Sequence, residues 1–375
     1  MNGPESDAIV VGGGLVGAAI AWGLAGLGER VRLLDEGDDA LRAARGNFGL
    51  VWVQGKGATC PPYARWTMRS AAAWPALATE LADATGIDVE LRQPGGLKFA
   101  LDEEELAARA RTRDTLAAAL GGDYPVELLD AAATRRSCPA VGPRIAGASY
   151  CPLDGHVNPM KLLEALLVGV QRRGGVYTPL APVRAIAWSG GVFRIEAGGC
   201  RYTAPTLVLA AGLGNRELAP RVGLDAPVRP NRGQILVTER VAPFLDRPTE
   251  FVRQTGEGVI QIGDSQEDAG LDDRTTRSEI ARIASRAVRV FPRLAGVNVV
   301  RAWAALRVMT ADGLPIYEAS SRCPGAFVAT CHSGVTLAAV HAGELARWVA
   351  GGARPPETAG FIAARFAAAG EGFAA

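Results

Sequence analysis

Gly12-Gly13-Gly14-Leu15-Val16-Gly17 fits the pattern G-x-G-x-x-G, in which each glycine has its own task. The first permits a tight turn, the second lets the backbone approach a pyrophosphate, and the third lets a helix pack closely on a strand. The helix that opens there presents its N-terminal amides to an anion. A hexapeptide alone says little, but this one follows the apolar run Ala8–Val11 and has Asp35 at the end of the next apolar run. A carboxylate in that place accepts hydrogen bonds from ribose hydroxyls and repels a 2′-phosphate, which disfavours NADP.

FAD and NAD both satisfy these residues, and two later segments favour FAD. Thr206-Leu207-Val208-Leu209-Ala210-Ala211-Gly212 repeats the strand-to-glycine pattern, placing Ala211 and Gly212 at a second turn. Near the end of the chain, Thr330–Thr336 forms another turn before a helical run. Such a helix start supplies the positive partial charge that a reduced flavin needs at its pyrimidine edge. A nicotinamide enzyme requires neither element.

The elements that must position these residues are readable in outline. Ala8–Val11 and Arg30–Leu34 read as buried parallel strands around a helix from Leu15 to Gly26. Helices are expected near Arg65–Ala84, Glu103–Leu120, Met160–Arg173, Thr276–Val290 and Val335–Val349. Strands are expected at Leu97–Leu101, Val176–Ile186, Val192–Ile195, Thr206–Leu209, Gln234–Thr238, Val259–Ile262 and Phe327–Thr330. The fold class is therefore α/β, with a discontinuous Rossmann-type nucleotide domain and an inserted β-rich domain.

Composition narrows the alternatives. The 375 residues suit two interlocked domains, and 48% hydrophobic with 21% charged residues is the profile of a well-packed globular chain. Forty basic against thirty-nine acidic residues give no electrostatic reason to expect nucleic acid or an anionic membrane. The polar, acidic start Met1–Asp7 is unlike a secretory signal, and no apolar run is long enough for a transmembrane segment. Six scattered cysteines without a C-x-x-C pair suggest no metal site, no iron–sulfur cluster, and reduced thiols in a cytoplasmic location.

Across nearly its whole length the sequence resembles the D-amino-acid-oxidase-like FAD enzymes. The motifs come in the family's order: the Gly12–Gly17 turn, Asp35, the Gly46 loop, Asp154–Pro159, Ala210-Ala211-Gly212, Leu306-Arg307 with Asp312-Gly313-Leu314-Pro315, and the Gly334 turn. Within that group, Arg45-Gly46-Asn47-Phe48-Gly49-Leu50-Val51-Trp52-Val53-Gln54 and Ile262-Gly263-Asp264-Ser265 look like the β subunits of opine oxidase and D-hydroxyproline dehydrogenase. The resemblance implies a glutathione-reductase-like layout. Residues 1–90, 146–225 and 305–375 would form the FAD domain, and 91–145 with 226–304 the substrate domain.

It also implies roles. Gly12, Gly14, Gly17, Asp35 and Glu36 would hold the ADP half, although Glu36 reads equally well as a solvated side chain. Arg45, Gly46, Asn47 and Gly49 match the loop along the pyrophosphate and flavin, and Val183 a strand residue that meets the adenine. Gly334, Val335 and Thr336 match the turn at the flavin's pyrimidine edge. Arg307 is the first candidate for the substrate carboxylate, with Arg253 and then Arg232 behind it. His332, in the flavin turn, would contact substrate or flavin or brace the turn, whereas His156 and His341 read as structural. Single-chain sarcosine oxidase carries a flavin-linked cysteine in the segment that here reads Leu306–Thr310. None is present, so the expected FAD is non-covalent.

The implied activity is oxidation of a C–N bond in a small amino- or imino-acid-like secondary amine. The implied setting is a multisubunit dehydrogenase with α and small iron–sulfur subunits. A stand-alone glycine or D-amino-acid oxidase releasing peroxide, and an electron-relay FAD subunit without catalysis, are the competing readings.

Overall fold

A computed structural model describes residues 5–37, 43–263 and 265–367. Asp264, part of one motif above, and the last alanine-rich residues lie outside the described residues, as do 1–4 and 38–42. The organising element is a six-stranded sheet in the spatial order Ile316–Ala319, Ala326–Thr330, Thr206–Leu209, Ala8–Val11, Val31–Leu34 and Val176–Thr178. Five strands are parallel, and only Ile316–Ala319 runs antiparallel, as an edge. The four residues of Ala8–Val11 are all buried, as a strand covered on both faces must be.

Sequence order reverses on either side of Ala8–Val11, because Val31–Leu34 lies on one flank and Thr206–Leu209 on the other. In open parallel sheets a ligand binds at such a reversal, beyond the carboxyl ends of the strands. The residues that follow those ends are Gly12, Asp35, Ala210 and Cys331. The helix Leu15–Gly26 is buried nearly all round, and small residues allow its close crossings. A Cβ at Gly23 would lie 2.0 Å from the Ala342 carbonyl oxygen, and one at Gly169 would lie 2.7 Å from the Trp22 ring.

The rest of the β structure forms separate sheets. Gly96–Ala100, Gly147–Cys151 and Glu127–Asp130 make one, and Val252–Gln254, Val259–Ile262, Arg229–Arg240 and Val299–Met309 another. A bridge from Leu97 to Thr249 joins them, and Phe99, Leu236, Phe251 and Phe291 fill the core between them. The expected seams fall differently along the chain. Gly147–Cys151 lies past the boundary expected at 146, yet pairs with Gly96–Ala100 and Glu127–Asp130. Val299–Met309 is one continuous strand through the boundary expected at 305.

Two elements correct the sequence reading. Val176–Ile186 is not one strand: Val176–Thr178 ends the nucleotide sheet, and Val183–Ser189 starts an antiparallel sheet after Pro179 and Pro182. A proline lacks the amide a ladder needs, so the break falls there. The last helix begins at Ala338 rather than Val335 and contains a π turn at His341–Leu345. The Ser70 hydroxyl explains the delay. It donates to the Thr336 carbonyl at 2.7 Å and accepts from the Val340 amide at 3.4 Å, interposed where a helical bond would form. Trp74 Nε1 donates to the same carbonyl at 3.1 Å.

Candidate active site

Two cavities meet at the carboxyl edge of the parallel sheet. The first, about 320 Å³, is walled by Gly12, Gly14, Asp35, Ala211, Gly212 and Gly334, with Glu36, Val183 and His332 also lining it. Gly12 has φ +108°, and a Cβ there would lie 2.4 Å from the Ala210 carbonyl oxygen, so the turn admits no side chain. At Gly17 a Cβ would fall 1.9 Å from the Gly12 carbonyl oxygen. Gly17 therefore serves helix–strand contact and does not line the cavity. Gly14 differs from both. The nearest heavy atom to a Cβ built there is Ala44 Cβ at 3.9 Å, so the space a side chain would take belongs to the cavity.

Asp35 is buried, with Oδ2 accepting from the Gly13 amide at 2.7 Å and Oδ1 from the Gly37 amide at 3.0 Å. These bonds fix the carboxylate in the cavity wall. A carboxylate has about four acceptor sites, so it also suits a ribose hydroxyl. Leu15–Gly26 begins without a side-chain cap and without an acidic residue in its first turn, which leaves its amides to an anion. In the same wall, Thr330 Oγ1 is buried and has no hydrogen-bond partner among the described residues. Buried hydroxyls are seldom left so. The glycine cradle, the ribose-type carboxylate and the orphaned hydroxyl together fit a dinucleotide such as FAD.

The second cavity, about 440 Å³, shares Asn47 and His332 with the first. Gly46, Val335, Thr336 and Arg307 line it as well. Thr336 bolts its turn to the first loop, since its hydroxyl donates to the Leu50 carbonyl and accepts from the Trp52 amide, both at 3.2 Å. Arg307 lies on Val299–Met309, and its Nη1 donates to Ser265 O at 2.6 Å and Asn231 Oδ1 at 3.2 Å. Its guanidinium is thus held in place at the cavity wall.

Burial pushes His332 well below its usual pKa, and the Lys56 and Arg307 cations push it further, so the imidazole is neutral. Its Nδ1 lies 3.3 Å from Ser333 Oγ. Lys56, which no motif singled out, lines the same cavity and donates to Ser333 Oγ at 2.5 Å. Tyr63 donates to that oxygen too, at 3.1 Å. Burial lowers the Lys56 ammonium to about 8. The available signal was a lone charge between Gly55 and Gly57, following the buried run Val51–Gln54.

Other expected residues stand apart from these two cavities. Arg253 is buried elsewhere, its Nη1 bonded to His156 Nδ1 at 3.0 Å and to Val157 O at 3.1 Å, and its Nε to Gln261. Burial, with Arg253 beside it, drives His156 down to about 3, which makes it a neutral acceptor. Arg253 and Arg45 line a third cavity of about 660 Å³ on the far side of the Gly46–Asn47 loop. Gly49, at φ +88°, packs against Val157 and Pro159. Arg232 is tied to Glu267 and Asp272. His341 is fully buried against the Tyr317 hydroxyl at 2.7 Å. Among the described residues no cluster of His, Cys, Asp or Glu could hold a metal, and no helix is long and apolar enough to cross a membrane.

Comparison with known proteins agrees with this geometry. The chain is 46% identical over 363 residues to an opine oxidase subunit of Agrobacterium tumefaciens (strain Ach5), a match covering 96% of this chain and 98% of that protein. It is 45% identical to the corresponding opine oxidase subunit of Rhizobium meliloti over the same shares. The crystal structure of glycine oxidase from Geobacillus kaustophilus superposes with a TM-score of 0.89 at 27% identity, covering 96% of this chain and 98% of that one. Residues 7–348 match the family model DAO, described as FAD dependent oxidoreductase. The chain therefore belongs to the DAO family of FAD-dependent oxidoreductases, and its cofactor is FAD.

Proposed function

We propose that this protein oxidises a C–N bond in a small secondary amine bearing a carboxylate, such as an opine or D-hydroxyproline, as the catalytic β subunit of a multisubunit dehydrogenase. One observation carries the reading: the cavity that opens onto the nucleotide cavity at His332 holds Arg307 in its wall. A guanidinium there orients a substrate carboxylate by paired charge-assisted hydrogen bonds. When bound, FAD accepts the hydride that leaves the carbon next to nitrogen.

The remaining requirements fall on the chain. An amine gives up hydride only when it is uncharged, and the cations Lys56 and Arg307 disfavour an ammonium beside them. The neutral His332 ring, in the wall of both cavities, can accept a hydrogen bond from the amine N–H and so orient the nitrogen. Phe48, Leu50, Trp52, Ile235 and Leu306 give the cavity an apolar wall that limits water. We read Gly12, Gly14, Asp35 and Glu36 as contacts to the ADP half, and Gly334, Val335 and Thr336 as contacts to the flavin.

The subunit role rests on the two relatives whose names make them subunits of opine oxidase. The partners proposed for it are α and small iron–sulfur subunits, which would take the electrons onward. Anaerobic stopped-flow mixing with candidate amines should bleach the flavin, and a chain that stays oxidised with all of them would be a relay subunit instead. Fast turnover of the lone chain with stoichiometric peroxide would point to a stand-alone oxidase. FAD is proposed to be non-covalent, so acid precipitation should leave the yellow colour in the supernatant.

A further inference from the structure

An amine that arrives as an ammonium must shed a proton before its hydride can leave, and the second cavity offers few takers. His332 is held far below its usual pKa, so it keeps no extra proton near neutrality. Lys56 is charged below about 8 and already donates to Ser333 Oγ. Among the described residues Glu250 is the one acidic side chain that lines this cavity. Its Oε2 is buried with no hydrogen-bond partner, and its Oε1 stands 3.7 Å from Arg109 Nη2, beyond hydrogen-bond reach. Buried carboxyl oxygens are seldom left so, which marks this one for a group that comes with the ligand.

Charged groups face Glu250 from several elements. Lys98 on Gly96–Ala100, Glu105 and Arg109 on the helix Glu103–Ala119, and Arg282 and Arg286 on the helix Arg277–Val290 line an adjoining cavity of about 350 Å³ with it. Lys56 and Arg307 share the second cavity with it. Glu105 pairs with Arg286 at 3.1 Å and with Arg109 at 3.4 Å, and Arg282 pairs with Glu279. Burial raises the Glu250 carboxyl to about 7, although Lys98, Arg109 and Arg286 pull it down. A carboxyl poised there takes up and releases a proton readily at neutral pH. Because the adjoining cavity reaches the exposed Arg282, Glu250 stands between the second cavity and solvent.

We infer that Glu250 takes the proton of the substrate ammonium as the amine enters and passes it to solvent through the adjoining cavity. The step rests on reading the second cavity as the substrate site. The N–H bond breaks, its electron pair stays on nitrogen, and an O–H bond forms on Glu250, so no oxidant takes part. Lys56 and Arg307 assist, because two cations weaken an ammonium's hold on its proton.

Two unreactive carboxylates on the FAD-loaded protein test the site through the visible flavin spectrum. α-Aminoisobutyrate has no hydrogen on the carbon next to nitrogen, and methoxyacetate is an ether with no nitrogen at all. In the parent, the affinity for the amine relative to the ether should rise several-fold from about pH 6 to about pH 8, as Glu250 ionises. Glu250→Gln should flatten that rise, whereas Lys56→Met should keep it. A flat parental ratio, an unchanged rise in Glu250→Gln, or a rise lost in Lys56→Met overturns the inference. If Glu250→Gln loses FAD, the parent and Lys56→Met decide by the same criteria.

Anaerobic flavin reduction separates proton uptake from mere attraction of a cation. With an oxidisable amine such as D-hydroxyproline, Glu250→Gln should be slower than the parent by about tenfold or more at about pH 7, and the gap should close toward about pH 10, where the amine arrives uncharged. A deficit of the same size at both pH values assigns Glu250 to binding alone and overturns the proton step. If no amine bleaches the flavin, the oxidation reading fails while the affinity ratios still decide on Glu250.

Discussion

Around the nucleotide cavity, Gly12, Asp35, Ala210 and Cys331 each follow the carboxyl end of a strand in one parallel sheet. Around the neighbouring cavity, Lys56, Lys98, Glu250 and Arg307 come from four separate pieces of chain. The first cavity is shaped by backbone, and much of what it needs is the absence of side chains at a tight turn. The second is shaped by charged side chains brought together from distant strands and loops. A backbone-built site is intolerant of change and announces itself locally in sequence. A site assembled from side chains is open to substitution and is visible only after folding.

Four substitutions can break or sharpen that contrast. Gly12→Ala should do the most damage, since φ +108° and the 2.4 Å approach to Ala210 leave no room for a methyl group. A cost of about 2 kcal/mol or more is expected, with loss of stoichiometric FAD. An alanine variant with full flavin absorbance and parental melting would show that the turn is less constrained than its geometry implies.

Arg307→Lys comes next and tests the other cavity. It keeps charge but loses the planar fork, so kcat/KM for a carboxylated amine should fall ten- to hundredfold, about 1.5–3 kcal/mol, with FAD retained. A lysine variant of parental efficiency would move the carboxylate elsewhere. Asp35→Ala should act only on the first cavity. It removes one charge-assisted ligand and two amide bonds, so FAD affinity should drop about tenfold or more. Unchanged FAD dissociation would mean that the carboxylate serves the loop alone.

The smallest expected effect concerns pH. Lys56 is charged below about 8 and neutral above it, so methoxyacetate should bind several-fold more tightly at about pH 7 than at about pH 9. Lys56→Met should flatten that dependence. Were the variant to keep the parental profile, another group in the cavity would be titrating.

The contrast also explains what sequence alone conveys. Ala8–Val11, the Gly12–Gly17 turn and Leu15–Gly26 were readable because strand, turn and helix there obey local rules of burial and steric freedom. Gly147–Cys151 and the long strand Val299–Met309 were not, because Gly-Ala-Ser-Tyr-Cys lacks apolar alternation and Val299–Met309 starts with four exposed residues. The late start of the last helix depends on Ser70, which lies 266 residues from Thr336. Lys56 and Lys98 look like solvated charges in a linear chain. Only folding brings both to the cavity that Arg307 lines.

The order of strands in the parallel sheet has a further consequence, for synthesis. Ala8–Val11 is made well before its neighbour Thr206–Leu209, and Ala326–Thr330 emerges later still. Pairings so distant in sequence are slow to close. The turn at Thr336, which fastens the first loop, leaves the ribosome 284 residues after Trp52, the residue whose amide it holds. FAD is therefore a late arrival. It can seat fully only once the chain as far as Thr336 has emerged, and until then the apolar strand Ala8–Val11 and the helix after it need shelter from aggregation.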